Sequence, residues 1–306
     1  MILCCGEALI DMLPRETRAG ESCFAPHAGG AVFNTAVALG RLGAAAGFFS
    51  GLSSDFFGDQ LREVLAESGV DTSLCVTADR PTTLAFVRLV AGQAAYAFYD
   101  EATAGRMLSP SDLPALPESV TALFFGGISL VGEPCAAAYE ALLTREGGAR
   151  AVMIDPNIRP GFITDEGTYR ARIGRMLGRA DIVKLSDEDL RWLEGAGEIA
   201  TLAAGVLARG PKLVLITEGA KGATGFADGL EVSVPAREVE VADTVGAGDT
   251  FNAGILAALD AAGCLSKAGL STLSAEILSD ALDLAVRAAA VTVSRPGANP
   301  PWRHEL

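Results

Sequence analysis

The sequence predicts an α/β protein built on a doubly wound, mostly parallel sheet flanked by helices, with a small antiparallel β lid beside it. Three observations predict this. Short apolar runs, each closed by Gly, Asp or Ser, recur along the chain. Segments with apolar residues at helical spacing separate them, and one stretch breaks the alternation with a hairpin pattern.

Residues 2–5, 47–49, 123–125, 152–154, 182–185 and 213–217 read as buried strands. Residues 33–42, 59–68, 134–144, 169–177 and 202–208 read as the helices between them. Ligands of such sheets bind at the carboxyl ends of the strands, so the loops that follow strands are where chemistry is sought. Residues 82–90 alternate side chains, turn at Ala91-Gly92-Gln93 and resume over 94–99, a hairpin and not a βαβ unit. With the helix-poor segment 11–26, this predicts a lid formed by roughly 11–27 and 80–106. No linker, low-complexity run or internal repeat divides the chain, so 1–306 reads as a single domain.

Composition excludes several functions. The 306 residues carry 24 basic and 38 acidic side chains, a net charge of −14, which argues against a nucleic-acid partner because phosphate backbones need clustered Lys and Arg. No uncharged apolar stretch reaches the roughly 18 residues of a membrane span, and residues 1–10 lack a basic leader region. Six cysteines show no CxxC spacing, and only His27 and His304 accompany them, so a zinc site is not expected. A reduced, cytoplasmic protein with neither membrane nor nucleic-acid partner follows as the expectation.

The most informative stretch is Asp243-Thr-Val-Gly-Ala-Gly-Asp249. A short polar strand is expected to end at Gly246-Ala247-Gly248, where a helix begins with Phe251, Ile255 and Leu259 on one face and Gly263 at its C-terminal cap. Glycines ahead of a helix let unpaired amides approach a ligand, and the helix dipole adds positive potential, so the turn can hold an anion without Lys or Arg. Asp249 would repel a bound phosphate, yet it suits a group that accepts the proton of a hydroxyl attacking that phosphate. An Asp N-cap after a glycine turn is the competing reading. Walker A is excluded because no Lys-Ser/Thr pair follows the glycines, and Phe251 stands where a dinucleotide fingerprint needs Gly.

Near the N-terminus, Gly29-Gly30 again precede a helical run that contains Asn34, and Asp11 lies just past the first strand. Each has an ordinary reading as a turn or backbone-bonded residue. Together they offer a carboxylate, an amide side chain and backbone amides, a set suited to sugar hydroxyls that both donate and accept.

Gly29-Gly30…Asn34, continuing through Gly40, Gly43, Gly51 and Gly58, resembles the first signature of the PfkB (ribokinase-like) carbohydrate kinases, and Asp243–Asp249 resembles the second. The resemblance covers essentially the whole chain. It implies a ribokinase-like fold, Asp249 as catalytic base, Gly246, Ala247 and Gly248 as anion hole, and Asp11, Gly29, Gly30 and Asn34 as sugar contacts. Asp155-Pro-Asn157-Ile-Arg159 is similar to a fructokinase and 2-keto-3-deoxygluconate kinase segment, which implies Asn157 at the sugar and Arg159 as charge stabiliser; a surface turn is the alternative.

Lys184-Leu-Ser186-Asp187-Glu188-Asp189 ends another strand, at a position where ribokinases carry Asn-x-x-Glu. The departure to Ser186-x-x-Asp189 leaves open whether Asp189, through water, or Glu188 supports Mg²⁺. Thr217-Glu-Gly219-Ala-Lys-Gly222 resembles the nucleotide loop, so Lys184, Ser186, Thr217, Gly219 and Gly222 are the expected ATP contacts. The tail Thr292-Val-Ser-Arg295-Pro-Gly297-Ala298 resembles the family's closing segment beside a monovalent-cation loop, which implies carbonyls around Asp243 and Val245 as K⁺ ligands. Phe98 and Arg106 on the lid are expected over the sugar, with lid packing as the alternative for the aromatics.

The resemblance as a whole implies an ATP-dependent sugar 6-kinase acting on D-fructose. A 2-keto-3-deoxygluconate kinase is the rival, although only Arg88 and Arg106 offer extra cations there. A non-catalytic sugar or nucleotide sensor would have no use for Asp249. A homodimer through the exposed lid edge completes the expectation.

Overall fold

The computed structural model describes residues 1–90 and 93–306; the turn expected at Ala91 and Gly92, and the side chain of Arg88, lie outside the described residues. The chain begins β1 (Ile2–Cys5), β2 (Leu9–Glu16), β3 (Ser22–Gly29) and α1 (Ala31–Arg41). It continues through β4 (Ala46–Phe49), β5 (Gly51–Ser53), α2 (Phe56–Glu67), β6 (Val76–Ala78), β7 (Leu84–Val90) and β8 (Gln93–Tyr99). Next come β9 (Ala122–Gly126), α3 (Cys135–Glu146), β10 (Ala151–Asp155), α4 (Glu166–Leu177), β11 (Ile182–Ser186), α5 (Asp187–Glu194) and α6 (Ile199–Leu207). The last third holds β12 (Leu213–Thr217), β13 (Ala223–Ala227), β14 (Leu230–Val234), α7 (Ala247–Ala261), α8 (Lys267–Leu270) and α9 (Ala275–Val293).

Eight strands form the main sheet in the order β14-β13-β12-β11-β10-β9-β1-β4. From β12 to β4 every pairing is parallel; β12–β13 and β13–β14 are antiparallel. The continuous apolar runs are explained by cover on both faces. Ile2 and Cys4 of β1 point into a core shared with α1, α7 and α9, while Leu3 and Cys5 point into another shared with α3, α4 and α6. All six expected strands are present within a residue or two. The sequence reading passed over β13 and β14, although Asp228-Gly229 between them, with Gly229 at φ +68°, is a two-residue hairpin signal.

A second sheet of order β3-β2-β7-β8 forms the lid. Its two hairpins are antiparallel, and they are joined through a parallel β2–β7 pairing in which Asp11 faces Ala85. The short strand expected before Gly246 is absent. The chain there runs as irregular backbone whose amides at Ala242 and Asp243 donate to the Val293 carbonyl at the end of α9, so helix α9 takes the hydrogen bonds a strand neighbour would have taken. All six cysteines are free, and among the described residues no helix is long and apolar enough to cross a membrane.

Candidate active site

Three strands end in residues the sequence singled out: Asp155 closes β10, Ser186 closes β11 and Thr217 closes β12. Their carboxyl ends, the first turn of α1, the first turn of α7 and the lid enclose a cavity of about 560 Å³. A second cavity of about 610 Å³ lies beside it and is walled by apolar side chains such as Val239, Val241, Phe251 and Val286. Thr217, Gly219, Thr244 and Gly248 line both, so the two cavities meet at the glycine turn.

At that seam Gly246 caps α7 with φ +79°, and a Cβ on it would sit 2.7 Å from Cβ of Ala298. Only glycine meets both demands. The turn therefore presents the first amides of α7, which have no intrahelical acceptor, toward the seam. The Ala247 amide is partly occupied by a long 3.4 Å bond to the Thr244 carbonyl.

Asp249, one turn-third further, is 6% exposed. Its Oδ2 accepts a 2.9 Å hydrogen bond from Asn34 Nδ2 on α1, and its backbone carbonyl accepts from Thr35 Oγ1 at 3.3 Å. Burial pushes its pKa up to about 7; the Asn34 bond and Lys184 oppose this, while the charges of Asp155 and Glu7 reinforce it. A carboxyl so tuned can take a proton near neutral pH.

Asp155 organises the floor. Its Oδ2 accepts from Lys184 Nζ at 3.0 Å and from Asn252 Nδ2 at 2.7 Å, and its Oδ1 accepts from the Asn157 amide at 3.1 Å. Lys184 is buried, and its ammonium would lie 3.2 Å from a Cβ placed on Gly248, directly beneath the glycine turn. Asn157 is held at φ +46° and, with Arg159, lines the same cavity. Ser186 caps α5 by accepting from the Asp189 amide at 3.0 Å. Of the acidic pair, Asp189 is buried and Glu188 exposed, both lining the cavity. Burial and the charge of Asp155 push Asp189 up to about 6.

On the lid side Asp11 lines the cavity, its carboxyl pushed up to about 6 by burial. Gly30 and Asn34 line it too, whereas Gly29 does not; a Cβ on Gly29 would fall 2.2 Å from Asp11 Oδ2, so this glycine makes room for the carboxylate. Phe98 of β8 closes the cavity from above, its ring edge-to-face on Phe162 at 4.9 Å.

One expectation needs correcting. Arg106 lines neither cavity: NH1 pairs with Asp100 Oδ2 at 2.7 Å and Nε donates to the Glu133 carbonyl at 2.6 Å, so it fastens the exit of the lid to the Gly132–Pro134 turn. Asp243 also lines neither cavity. Its carboxylate accepts from the Val245 and Gly297 amides, at 3.1 and 3.0 Å, and ties the loop before α7 to the tail. Gly222 lines only the apolar cavity, and Val245 only the other. The sequence reading missed Glu7 and Asn252. The signal for Glu7 was a lone carboxylate inside an apolar run; for Asn252 there was none beyond its place one turn after Asp249.

Comparison with known proteins gives this geometry its context. The model of the pfkB family carbohydrate kinases matches residues 1–305. A fructokinase from Rhizobium leguminosarum bv. trifolii is 56% identical over 283 residues, covering 92% of this chain and 87% of that protein. Among solved structures, fructokinase with bound ATP from Xylella fastidiosa superimposes with a TM-score of 0.88 at 31% identity, covering 97% of this chain and 93% of that one. A fructokinase double mutant from Vibrio cholerae O395, in its fructose-, ADP- and potassium-bound form, gives 0.85 at 26% identity over 97% and 93%. Match along essentially its full length, with a buried aspartate at a glycine-turn helix start, places this chain in the pfkB family of carbohydrate kinases.

Proposed function

We propose that the protein transfers the γ-phosphoryl group of ATP to the primary hydroxyl of D-fructose, giving fructose 6-phosphate and ADP. The observation that carries the reading is Asp249, a buried carboxylate tuned to about pH 7 at the seam of two cavities. The sugar lies between Asp11, Gly30, Asn34 and Asn157 beneath Phe98. The nucleotide base occupies the apolar cavity beside Gly222, and its phosphates pass Thr217 and Gly219 to the glycine turn. Asp249 accepts the hydroxyl proton as the new O–P bond forms in line with the bond to the β-phosphate oxygen that breaks. Amides of Gly246, Ala247 and Gly248, with Lys184 and Arg159, hold the charge on the transferring group.

Asp189 and Glu188 offer only oxygen ligands at the cavity wall, the donors a magnesium ion takes, and positive charge there would relieve the raised pKa of Asp189. Asp189 and Glu188, through water, would hold such an ion beside the nucleotide phosphates, and it would supply positive charge that neutralises them. Loop carbonyls at Asp243 and Val245, stiffened by the Asp243 bonds, suit a monovalent cation such as potassium. Ser186 acts on the site by capping α5, which carries Asp189.

D-Fructose is favoured over 2-keto-3-deoxygluconate because Arg106 is committed to Asp100, and Lys184, held by Asp155, lies beneath the glycine turn on the phosphoryl side. Arg159 is then the one cation left at the sugar cavity among the described residues, already needed for the phosphoryl group. Residues 1–306 act as one kinase domain with its lid at 11–27 and 80–106. The free cysteines suit a reducing cytoplasm. A homodimer forms through the outer face of the lid, where Phe24, 47% exposed, and Tyr99, 63% exposed, flank Phe86.

The test offers purified protein and Mg-ATP with fructose, ribose, 2-keto-3-deoxygluconate and adenosine, alongside Asp249→Ala. Fructose is expected as the preferred acceptor, with turnover lost in the variant. Undiminished sugar phosphorylation by Asp249→Ala overturns the mechanism, and preferred turnover of 2-keto-3-deoxygluconate overturns the substrate.

A further inference from the structure

Glu7 is a buried carboxylate, 8% exposed, that lines the sugar cavity and has no ion-pair partner among the described residues. It stands in the turn between β1 and β2. Oε1 accepts the amide of Ala31 at 3.0 Å, and Ala31 is the first residue of α1. Oε2 accepts the amide of Ser129 at 3.2 Å, in the tight helical turn Ile128–Leu130. The backbone carbonyl of Glu7 accepts a third amide, from Phe33, at 3.2 Å. The preceding residue is anchored from below, where Tyr139 donates to the Gly6 carbonyl at 3.1 Å.

Space for this carboxylate is built in. A Cβ on Gly127, which has φ +67°, would lie 1.9 Å from Glu7 Oε1. Gly30, the N-cap of α1, supplies no side-chain cap of its own, so Glu7 caps that helix from 24 residues away. Burial pushes the Glu7 carboxyl above the usual carboxylate range, and the bonds from Ser129 and Ala31, with the α1 dipole, oppose this.

We propose that Glu7 is a positioning residue for phosphoryl transfer: it ties the first turn of α1, which carries Asn34, to the Ile128–Leu130 turn, and so sets the sugar floor and the donor to Asp249. This rests on the reading of Asp249 as the base. The ionised form is required. Two amides meet two different oxygens, whereas an amide side chain has one oxygen and would turn its NH₂ against the other donor. An aspartate falls one methylene short.

Glu7→Gln and Ala31→Pro test it together. Proline is tolerated at the first position of a helix, so Ala31→Pro removes the donor to Oε1 and, with its ring Cδ where the amide hydrogen stood, displaces the carboxylate while keeping its charge. Each variant is expected to melt cooperatively, to lose kcat by about 10- to 100-fold, and to keep the KM for ATP within about twofold, because the nucleotide cavity is walled by other elements. Their effects combine sub-additively, since both cut one interaction. A further readout is specific to charge. Asp249 faces Asp155 and Glu7, which raise its pKa, and Lys184 and Asn34, which lower it. Both variants loosen Asn34, but only Glu7→Gln removes the charge, so its acid limb of kcat/KM for sugar lies at lower pH than that of Ala31→Pro.

Wild-type kcat in either variant, or an acid limb in Glu7→Gln that coincides with or lies above that of Ala31→Pro, overturns the inference. Asp249→Ala, run alongside, separates the two claims. If it still phosphorylates sugar, the catalytic reading falls; if it is dead while Glu7→Gln turns over normally, only the role of Glu7 falls.

Discussion

The hydrogen bond from Asn34 Nδ2 to Asp249 Oδ2, 2.9 Å long and wholly buried, makes a prediction about pH and not merely about rate. It favours the ionised carboxylate and so holds the pKa of Asp249 below the value that burial alone would set. A hydrogen bond to a charged group contributes about 1.5–3 kcal/mol, and one pKa unit corresponds to about 1.36 kcal/mol. Asn34→Ala should therefore raise the acid limb by about 1–2 pH units from its position near pH 7. The ionised fraction at pH 7 would fall from about one half to between about 1% and 10%, lowering kcat/KM about 5- to 50-fold there. Activity should recover toward pH 9.

The assay is kcat/KM for fructose from pH 5.5 to about 9.5, which reports groups of the free enzyme. A loss of similar size at every pH would mean that Asn34 serves the sugar alone. A limb displaced to lower pH would refute the reasoning outright, because no other consequence of losing this donor stabilises the carboxylate.

Asp249→Asn should abolish turnover yet raise the melting temperature at pH 8. A carboxyl whose folded-state pKa is raised contributes stability in its protonated form, fully present below about pH 4 and lost as pH climbs through about 7. The gain from the amide should thus shrink as pH falls from 8 to 4, and a variant less stable than its parent at pH 8 refutes this. Phe162→Ala removes an edge-to-face contact of about 0.5–1.5 kcal/mol between the lid and the Asn157–Arg159 loop. The KM for fructose should rise about 2- to 12-fold with the KM for ATP unchanged; equal rises in both would count against a lid contact. Arg106→Ala should leave the KM for fructose within about twofold while lowering stability by about 1 kcal/mol. A KM raised tenfold would return Arg106 to the sugar site.

Sequence carried the framework because a buried parallel strand leaves an unmistakable run. The eight residues of β9 and β1 that pair in register, for instance, include no charged side chain. It carried the candidate site at the level of segments, since glycine turns and strand ends are local. It could not carry the pairing of those segments. Asn34 and Asp249 are 215 positions apart, and only the packing of α1 on α7 brings them within 2.9 Å. The error at Arg106 has the same origin. Arginine on a lid suits a substrate equally well as it suits an aspartate six positions earlier, and the choice depends on the Gly132–Pro134 turn arriving from elsewhere to accept its second bond. Glu7 went unread, because its partners Ala31 and Ser129 come from two distant turns.

A net charge of −14 looks ill suited to an anionic substrate such as ATP, and the placement of charge resolves this. Glu7, Asp155, Asp189 and Asp249 crowd the sugar side around the single buried ammonium of Lys184. Burial, reinforced by the charges of Asp155 and Glu7, raises the Asp249 carboxyl toward neutral pH, where ordinary aspartates are fully ionised. The same negative charges would repel a phosphate if nothing stood between. What stands between is the first turn of α7, whose amides face the seam while its third residue supplies the carboxylate. In the proposed mechanism, proton acceptance and phosphate holding make opposite electrostatic demands, and one helix start would meet both by directing backbone dipoles and a buried side chain at the two cavities that join there.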